Sequence, residues 1–234
     1  MDYGMLRLEE DVPRMRQATM GTRVFDALRQ GIVQLQLRPG NLLSEAEVAR
    51  QLGVSRQPVR EAFIKLAEVG LVEVRPQRGT FVKLISIREV QNARFIREAI
   101  EVAVVRKAAL EASSGRLADL NRIIDEQRAA NAAGDPVQFL RLDEAFHQAL
   151  AHSVDCDYAW RVLENLKAQM DRVRYLSMPN ATPIETLIGQ HAAVLDALAR
   201  HSADDAEDAM RAHLGEIMMS LPRIAQANPD LFSD

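Results

Sequence analysis

Few aromatic residues, a succession of helix caps and a charge split along the chain predict a mainly α protein. The expected architecture is an N-terminal winged helix-turn-helix followed by an all-α bundle of about six helices. Aromatics make up 5% of the 234 residues, and a composition rich in Ala and Leu favours helix over sheet. The net charge of −4 hides an asymmetry. Residues 18–83 carry ten Lys and Arg against six Asp and Glu, whereas residues 84–234 carry 16 against 23. A basic N-terminal third ahead of an acidic body points to a nucleic-acid-binding module attached to something else. The organisation expected is a flexible tail over 1–17, the winged helix-turn-helix over 18–83, a helical domain over 84–226 and a C-terminal tail over 227–234.

The N-terminal module reads element by element. Residues 1–17 are polar, charged and aperiodic, as in a loose terminus; the alternative is an arm reaching toward DNA through Arg14 and Arg16. Val24, Leu28, Ile32 and Leu35 recur at helical spacing and predict a helix over 19–36, ended by Pro39-Gly40. Ser44-Glu45-Ala46-Glu47 is a capping box that opens a short second helix. Gly53 stops that helix, and Ser55 offers an N-cap for a third. Pro58 is tolerated there because first-turn N–H groups have no acceptor within the helix. Val59, Phe63 and Leu66 form the buried stripe of the third helix. Two strands over 71–75 and 80–82, joined by Pro76-Gln77-Arg78-Gly79, make a hairpin wing with a basic tip.

The third helix carries the functional signal. Arg56 and Arg60 stand at i and i+4, so both project from one face near the helix start. The second helix of a helix-turn-helix presents such N-terminal side chains to the major groove. An arginine fork can bond guanine O6 and N7 together. Arg78 would enter the minor groove while the Gly79 backbone approaches the sugar-phosphate chain. Spacing alone also fits a solvated helix; the ordered series of helices, turns and basic wing favours DNA. Cys156 is the sole cysteine, which excludes an intrachain disulfide and suits a reducing cytosol. No secretion-signal pattern and no apolar run of ~20 residues occurs, so neither export nor a membrane is expected.

From Ser86 the pattern is helical almost throughout. Ser86-Ile87-Arg88-Glu89 is a capping box opening a helix to about residue 112. Further helices are expected over 116–132, from Asp135-Pro136 to about 153, over 158–176 up to a stop at Met178-Pro179-Asn180, from Thr182-Pro183-Ile184-Glu185 onward, and over 203–226. Pro222 should kink or fray the last. Asp143 and His147 stand at i and i+4 on one helix, with His191 and His213 inside two others. One carboxylate and three imidazoles can form the ligand set of a divalent transition metal with positions left for water or ligand. Spacing alone does not separate this from histidines packed in a core or set on the surface. His152 and His201 lie near helix ends, where a cation suits the dipole. Leu187, Val194 and Leu198 read as core.

Residues 37–82 resemble the winged-helix domain of the GntR family of bacterial transcription regulators. The resemblance rests on Leu-Arg-Pro-Gly (37–40), Leu-Gly-Val-Ser-Arg-Gln-Pro-Val-Arg-Glu (52–61) and Arg-Gly-Thr-Phe-Val (78–82). It implies DNA contacts from Ser55, Arg56, Gln57 and Arg60 and, on the wing, from Arg78 and Gly79. Some relatives carry a further DNA-contacting arginine where this chain has Ala46, so no operator sequence carries over. Residues 87–220 resemble the all-helical ligand-binding domain of the FadR branch. The matching pieces are residues 97–101, Leu-Asp-Glu-Ala-Phe-His (142–147), Gln190-His191 and Met-Arg-Ala-His-Leu (210–214). The resemblance implies a metal, Zn foremost with Ni or Mn as alternatives, on Asp143, His147, His191 and His213. It places the chain with the six-helix, metal-containing members.

The function expected is a cytoplasmic, homodimeric DNA-binding regulator, a repressor in preference to an activator, on a pseudo-palindromic operator. A small carboxylate effector would bind at the metal site, with Arg97 supplying a second charge-assisted contact. A salt bridge from Arg97 to Glu101 is the equal alternative for that arginine. Arg172 and Arg174 are weaker effector candidates, at least one of them expected to face solvent. Two other functions compete: a regulator for which the metal is itself the signal, and a metal-dependent hydrolase, which leaves the winged helix unexplained.

Overall fold

The computed structural model describes residues 6–8, 18–177 and 182–234. The expected arm at Arg14 and Arg16 and the helix stop at residues 178–180 lie outside them. Among the described residues the chain forms two compact units. One holds the chain up to Val90 together with Ala168–Tyr175 and Ala225–Asp234; the other holds Gln91–Lys167 and Leu176–Ile224.

In the first unit, α1 (Met20–Val33) is capped by the Thr19 hydroxyl and ends short of the expected residue 36. Leu35 adopts φ 59° there, outside helical geometry. Strand β1 (Leu42–Leu43), absent from the sequence reading, precedes α2 (Glu45–Leu52). The Ser44 half of the capping box forms, with Ser44 Oγ accepting from the Glu47 N–H, while the Glu47 carboxylate accepts from Arg50 and Gln51. Gly53 ends α2 at φ 64°, a left-handed conformation that glycine adopts without a Cβ penalty. Helix α3 (Arg56–Glu68) follows, with Ser55 at the N-cap position but making no side-chain capping bond. Val24, Leu28, Val59, Phe63 and Leu66 bury the facing stripes of α1 and α3.

The wing consists of β2 (Val72–Arg75) and β3 (Gly79–Val82), antiparallel with Val72 opposite Val82 and Arg75 opposite Gly79. Strand β1 completes the sheet on the far edge of β3. Gly79 holds φ 109°, and a Cβ there would lie 2.7 Å from Leu42 Cδ1. Strand β4 (Ile85–Ser86) leads into α4 (Ile87–Glu111), whose first turn is capped by Ser86 Oγ.

The second unit contains most of α4 together with α5 (Ser114–Ala132), α6 (Pro136–His152) and α7 (Asp157–Leu166). The expected helix over 158–176 is two helices. It breaks at Lys167, and α8 (Ala168–Ser177) lies in the first unit up to Tyr175. The buried faces differ in kind. Trp160 and Leu163 bury an apolar stripe on α7, whereas α8 also buries Gln169, Asp171 and Arg172. Gln169 donates to Gly70 O, Arg172 donates to Lys83 O, and Arg29 pairs with Asp171. Burial pushes the Arg172 guanidinium down to about 10, with Glu89 opposing. Arg172 is fully buried, whereas Arg174 keeps 14% of its side chain exposed and pairs with Asp171. They serve the packing of α8 in the first unit.

Helix α9 (Ile184–Ala199) starts after Pro183, and no side chain caps it. The predicted Thr182–Glu185 box does not form because Thr182 Oγ1 turns to Glu216 and Glu185 accepts from Asn131. Helix α10 (Ala203–Ala227) continues through Pro222 rather than fraying at it. The chain ends in a short 3₁₀ turn and β5 (Phe232–Ser233), parallel to β4 in the first unit. The second unit's core gathers Val105, Ile124, Phe139, Phe146, Leu150, Val194, Leu198 and Met210, with Leu187 packed at its edge.

Candidate DNA surface and metal centre

On the first unit, Ser55, Arg56, Gln57 and Arg60 all lie exposed at the N-terminal end of α3. Gln57 Nε2 donates to Glu61 Oε1 at 3.0 Å. Arg78 and Gly79 are exposed at the wing tip, where Gln77 takes φ 60° to close the turn. A group the sequence reading passed over joins the two arginines. Glu45, on the first turn of α2, accepts from Arg56 Nη2 at 3.1 Å and from Arg60 Nε and Nη2 at 3.2 Å each. The Arg60 and Arg56 guanidiniums hold its carboxyl below the usual range.

In the second unit α6 supplies Asp143 and His147 one turn apart, α9 supplies His191 and α10 supplies His213. All four are buried, and one ligand atom from each lies within 4.8 Å of the others. His147 Nε2 and His191 Nε2 stand 3.1 and 3.3 Å from His213 Nε2. Asp143 Oδ1 is 3.6 Å from His191 Nε2, and Oδ2 is 3.8 Å from His147 Nε2. Phe146 stacks on the His191 ring with centroids 4.2 Å apart.

The outer nitrogens of these rings face polar partners. His191 Nδ1 faces Gln127 Oε1 at 2.9 Å, and the Gln127 amide is oriented by its Nε2 donating to Leu142 O. His213 Nδ1 faces Gln190 Oε1 at 3.1 Å, and Gln190 Nε2 donates to Glu216. His147 Nδ1 lies against the Glu101 carboxylate. The glutamine oxygens can only accept, so His191 and His213 donate through Nδ1 and, as neutral rings, present Nε2 as an acceptor. Burial, with His191 and His147 alongside, holds His213 well below the usual imidazole range. The lone pairs of His191 and His213 thus converge with the His147 ring and the Asp143 carboxylate, an arrangement that a cation would stabilise. Nitrogen ligands bound at ~2.1 Å to a tetrahedral or octahedral ion sit roughly 3.0–3.4 Å from one another, and the two Nε2 spacings to His213, 3.1 and 3.3 Å, lie in that range.

Arg97 is buried and its Nε pairs with Glu101 one turn along α4. Burial raises the Glu101 carboxyl, but Arg97 and His147 outweigh it and hold the group at about 2. Glu101 was visible in the sequence only as a partner for Arg97, and Gln127 was not singled out at all. Its signal was a polar residue in register with the buried Leu120, Ile123 and Ile124. His201 and His152 lie outside the cluster: His201 Nδ1 meets Ala109 O, and His152 pairs with Asp157.

A winged helix with exposed arginines on its third helix, followed in the chain by a helical domain, defines a DNA-binding regulator. Comparison with known proteins gives the family. Residues 21–82 match the family described as bacterial regulatory proteins, gntR family, and residues 93–216 match the FCD domain. The chain is 46% identical over 212 residues to the HTH-type transcriptional repressor RspR of Escherichia coli K12, covering 91% of this chain and 93% of that one. It is 34% identical over 210 residues to an HTH-type transcriptional regulator of Streptomyces ambofaciens, covering 90% and 88%. The solved structure of E. coli McbR/YncC shares the fold at TM-score 0.75 and 22% identity, over 90% of this chain and 99% of that one. The chain belongs to the GntR family, with an FCD domain as its C-terminal part. It is a transcriptional regulator and not an enzyme, which removes the hydrolase alternative. Among the described residues no helix is long and apolar enough to cross a membrane.

Proposed function

We propose that this regulator releases its operator when a small organic acid binds at a metal held by Asp143, His147, His191 and His213. The observation that carries the reading is the convergence of three buried Nε2 atoms with the Asp143 carboxylate. Asp143 and the three rings would hold Zn, or Ni or Mn, and Glu101, Gln127 and Gln190 would fix the ring orientations. A bound ion with coordination positions to spare supplies Lewis-acidic attraction for a carboxylate. Arg97 would supply a second charge-assisted contact to the acid, with its Nε held by Glu101.

Ser55, Arg56, Gln57 and Arg60 would contact DNA from α3, and Arg78 and Gly79 from the wing. A homodimer would set two such surfaces on half-sites about one DNA turn apart, giving a pseudo-palindromic operator in the cytoplasm. The acid acts only through preferring one conformer of the protein over another. A second reading, in which the metal itself is the signal, draws on the burial of all four ligand residues. Titrating Zn and a panel of carboxylates separately into a duplex-binding assay decides between them. Release by an acid at constant metal supports the proposal; affinity that follows free metal and ignores every acid overturns it.

A further inference from the structure

Glu45 on α2 holds both Arg56 and Arg60, the two arginines proposed to meet the bases. We propose that Glu45 is a positioning residue that aims the Arg60 and Arg56 forks, raising sequence discrimination at the expense of raw affinity for DNA. The proposal rests on the assignment of Arg56 and Arg60 as base-contacting residues.

The geometry gives each arginine a different share. Glu45 takes the Nε–Nη2 edge of Arg60, one carboxylate oxygen on each nitrogen. A guanidinium has five N–H donors, so this leaves Arg60 an outward edge of one Nη2–H and one Nη1–H. Those two bonds are parallel and match the O6/N7 pair of a guanine. Arg56 is held through Nη2 alone, by the same Glu45 Oε2 that receives Arg60. Both arginines remain well exposed at 64% and 59% of their side-chain surface, whereas Glu45 is at 24%. Their outer ends are open to a ligand while their inner ends are anchored eleven and fifteen residues away in sequence.

The same carboxylate carries charge. It offsets one of the two cations at the tip of α3, and a phosphate approaching that tip meets a net charge of about one rather than two. Without Glu45 both forks swing freely to phosphates, which bind any sequence. Anchored, they favour the base edges that lie along their fixed direction.

The test uses the full-length protein, a pool of random 30-base-pair duplexes for selection, and poly(dI-dC) as the non-specific ligand. Two variants separate charge from aim. Glu45→Gln removes the charge at constant length, and Glu45→Asp keeps the charge but shortens the reach. For Glu45→Gln, affinity for poly(dI-dC) should rise about three- to tenfold and the slope of log K against log salt should steepen by about one. Its ratio of selected-duplex to poly(dI-dC) affinity should fall at least tenfold, with a less defined selected motif. Glu45→Asp should lose discrimination while its poly(dI-dC) affinity stays within twofold of wild type. Helix content by circular dichroism confirms that both variants fold. Discrimination unchanged within twofold in both variants overturns the proposal, as does Glu45→Asp behaving like wild type while Glu45→Gln gains equally on both ligands. A wild-type protein that selects a motif unaffected by Arg56→Ala and Arg60→Ala sinks the base-contact assignment instead.

Discussion

Replacing Gln127 by Leu tests the metal centre through a residue that touches no metal. Gln127 is fully buried and connects His191 Nδ1, at 2.9 Å, to Leu142 O, at 3.1 Å. Leucine nearly conserves the volume, so the change is one of hydrogen bonding. His191 Nδ1–H then lacks its acceptor, a loss of ~1–3 kcal/mol of folding stability for a buried donor. The ring also loses the bond that fixes its tautomer and aims Nε2 at His213. Losing such an outer partner costs about 10–100-fold in metal affinity, or ~1.4–2.7 kcal/mol of metal-linked stabilisation when metal is well above its dissociation constant. The assay is thermal unfolding of wild type and variant, each with excess Zn and with a chelator, plus a competition titration against a chromophoric chelator. The variant should be less stable in both conditions and should gain less from Zn. A variant that is destabilised but keeps wild-type Zn affinity refutes the orienting role of Gln127. If chelator shifts neither protein, the cluster is not a metal centre.

Other predictions follow from the same contacts. Arg172→Met removes the donors to Lys83 O and Leu84 O while filling most of the volume, and should destabilise the N-terminal unit by ~2–4 kcal/mol; a change under ~0.5 kcal/mol in urea unfolding contradicts the role given to α8. In chelator-treated protein, His213 is held below the usual imidazole range, so below pH ~6.5 the unfolded chain takes up a proton that the folded chain does not. Stability should therefore be full above that pH and decline as the pH falls beneath it, with a shallower decline in His213→Gln; urea midpoints across that range check both. Arg56→Ala and Arg60→Ala should each weaken binding to a selected duplex by ~1–3 kcal/mol, measured by fluorescence anisotropy, with unchanged affinity in both counting against base contact.

The parts of the fold written in local chemistry were legible from the sequence. Ser44, Ser86 and Asp135 cap the helices they were expected to cap, and Gly53 ends α2 in the left-handed conformation that makes glycine useful there. The Asp143–His147 pair was legible because i and i+4 share a helix face. What was hidden depends on partners distant in sequence. Gln127 finds His191 64 residues away, and Arg172 finds Lys83 across 89. The break at Lys167 had no glycine or proline to announce it; α7 and α8 part because one buries hydrocarbon and the other buries polar groups as well. Thr182 has the sequence of a cap but turns to Glu216, and Ser55 sits at the cap position without a side-chain capping bond. In each case a tertiary contact, or its absence, overrode a sound local signal.

The central claim is that four buried side chains form a metal centre, and metal content tests it most directly. Protein purified without chelators or immobilised-metal columns, dialysed against trace Zn, Ni and Mn, is to be measured by elemental analysis beside His191→Ala and His213→Ala. The account predicts about one divalent transition metal per wild-type chain and a clear loss in both variants that remain folded. A wild-type protein that takes up no metal, or variants that bind as much as wild type, would contradict it.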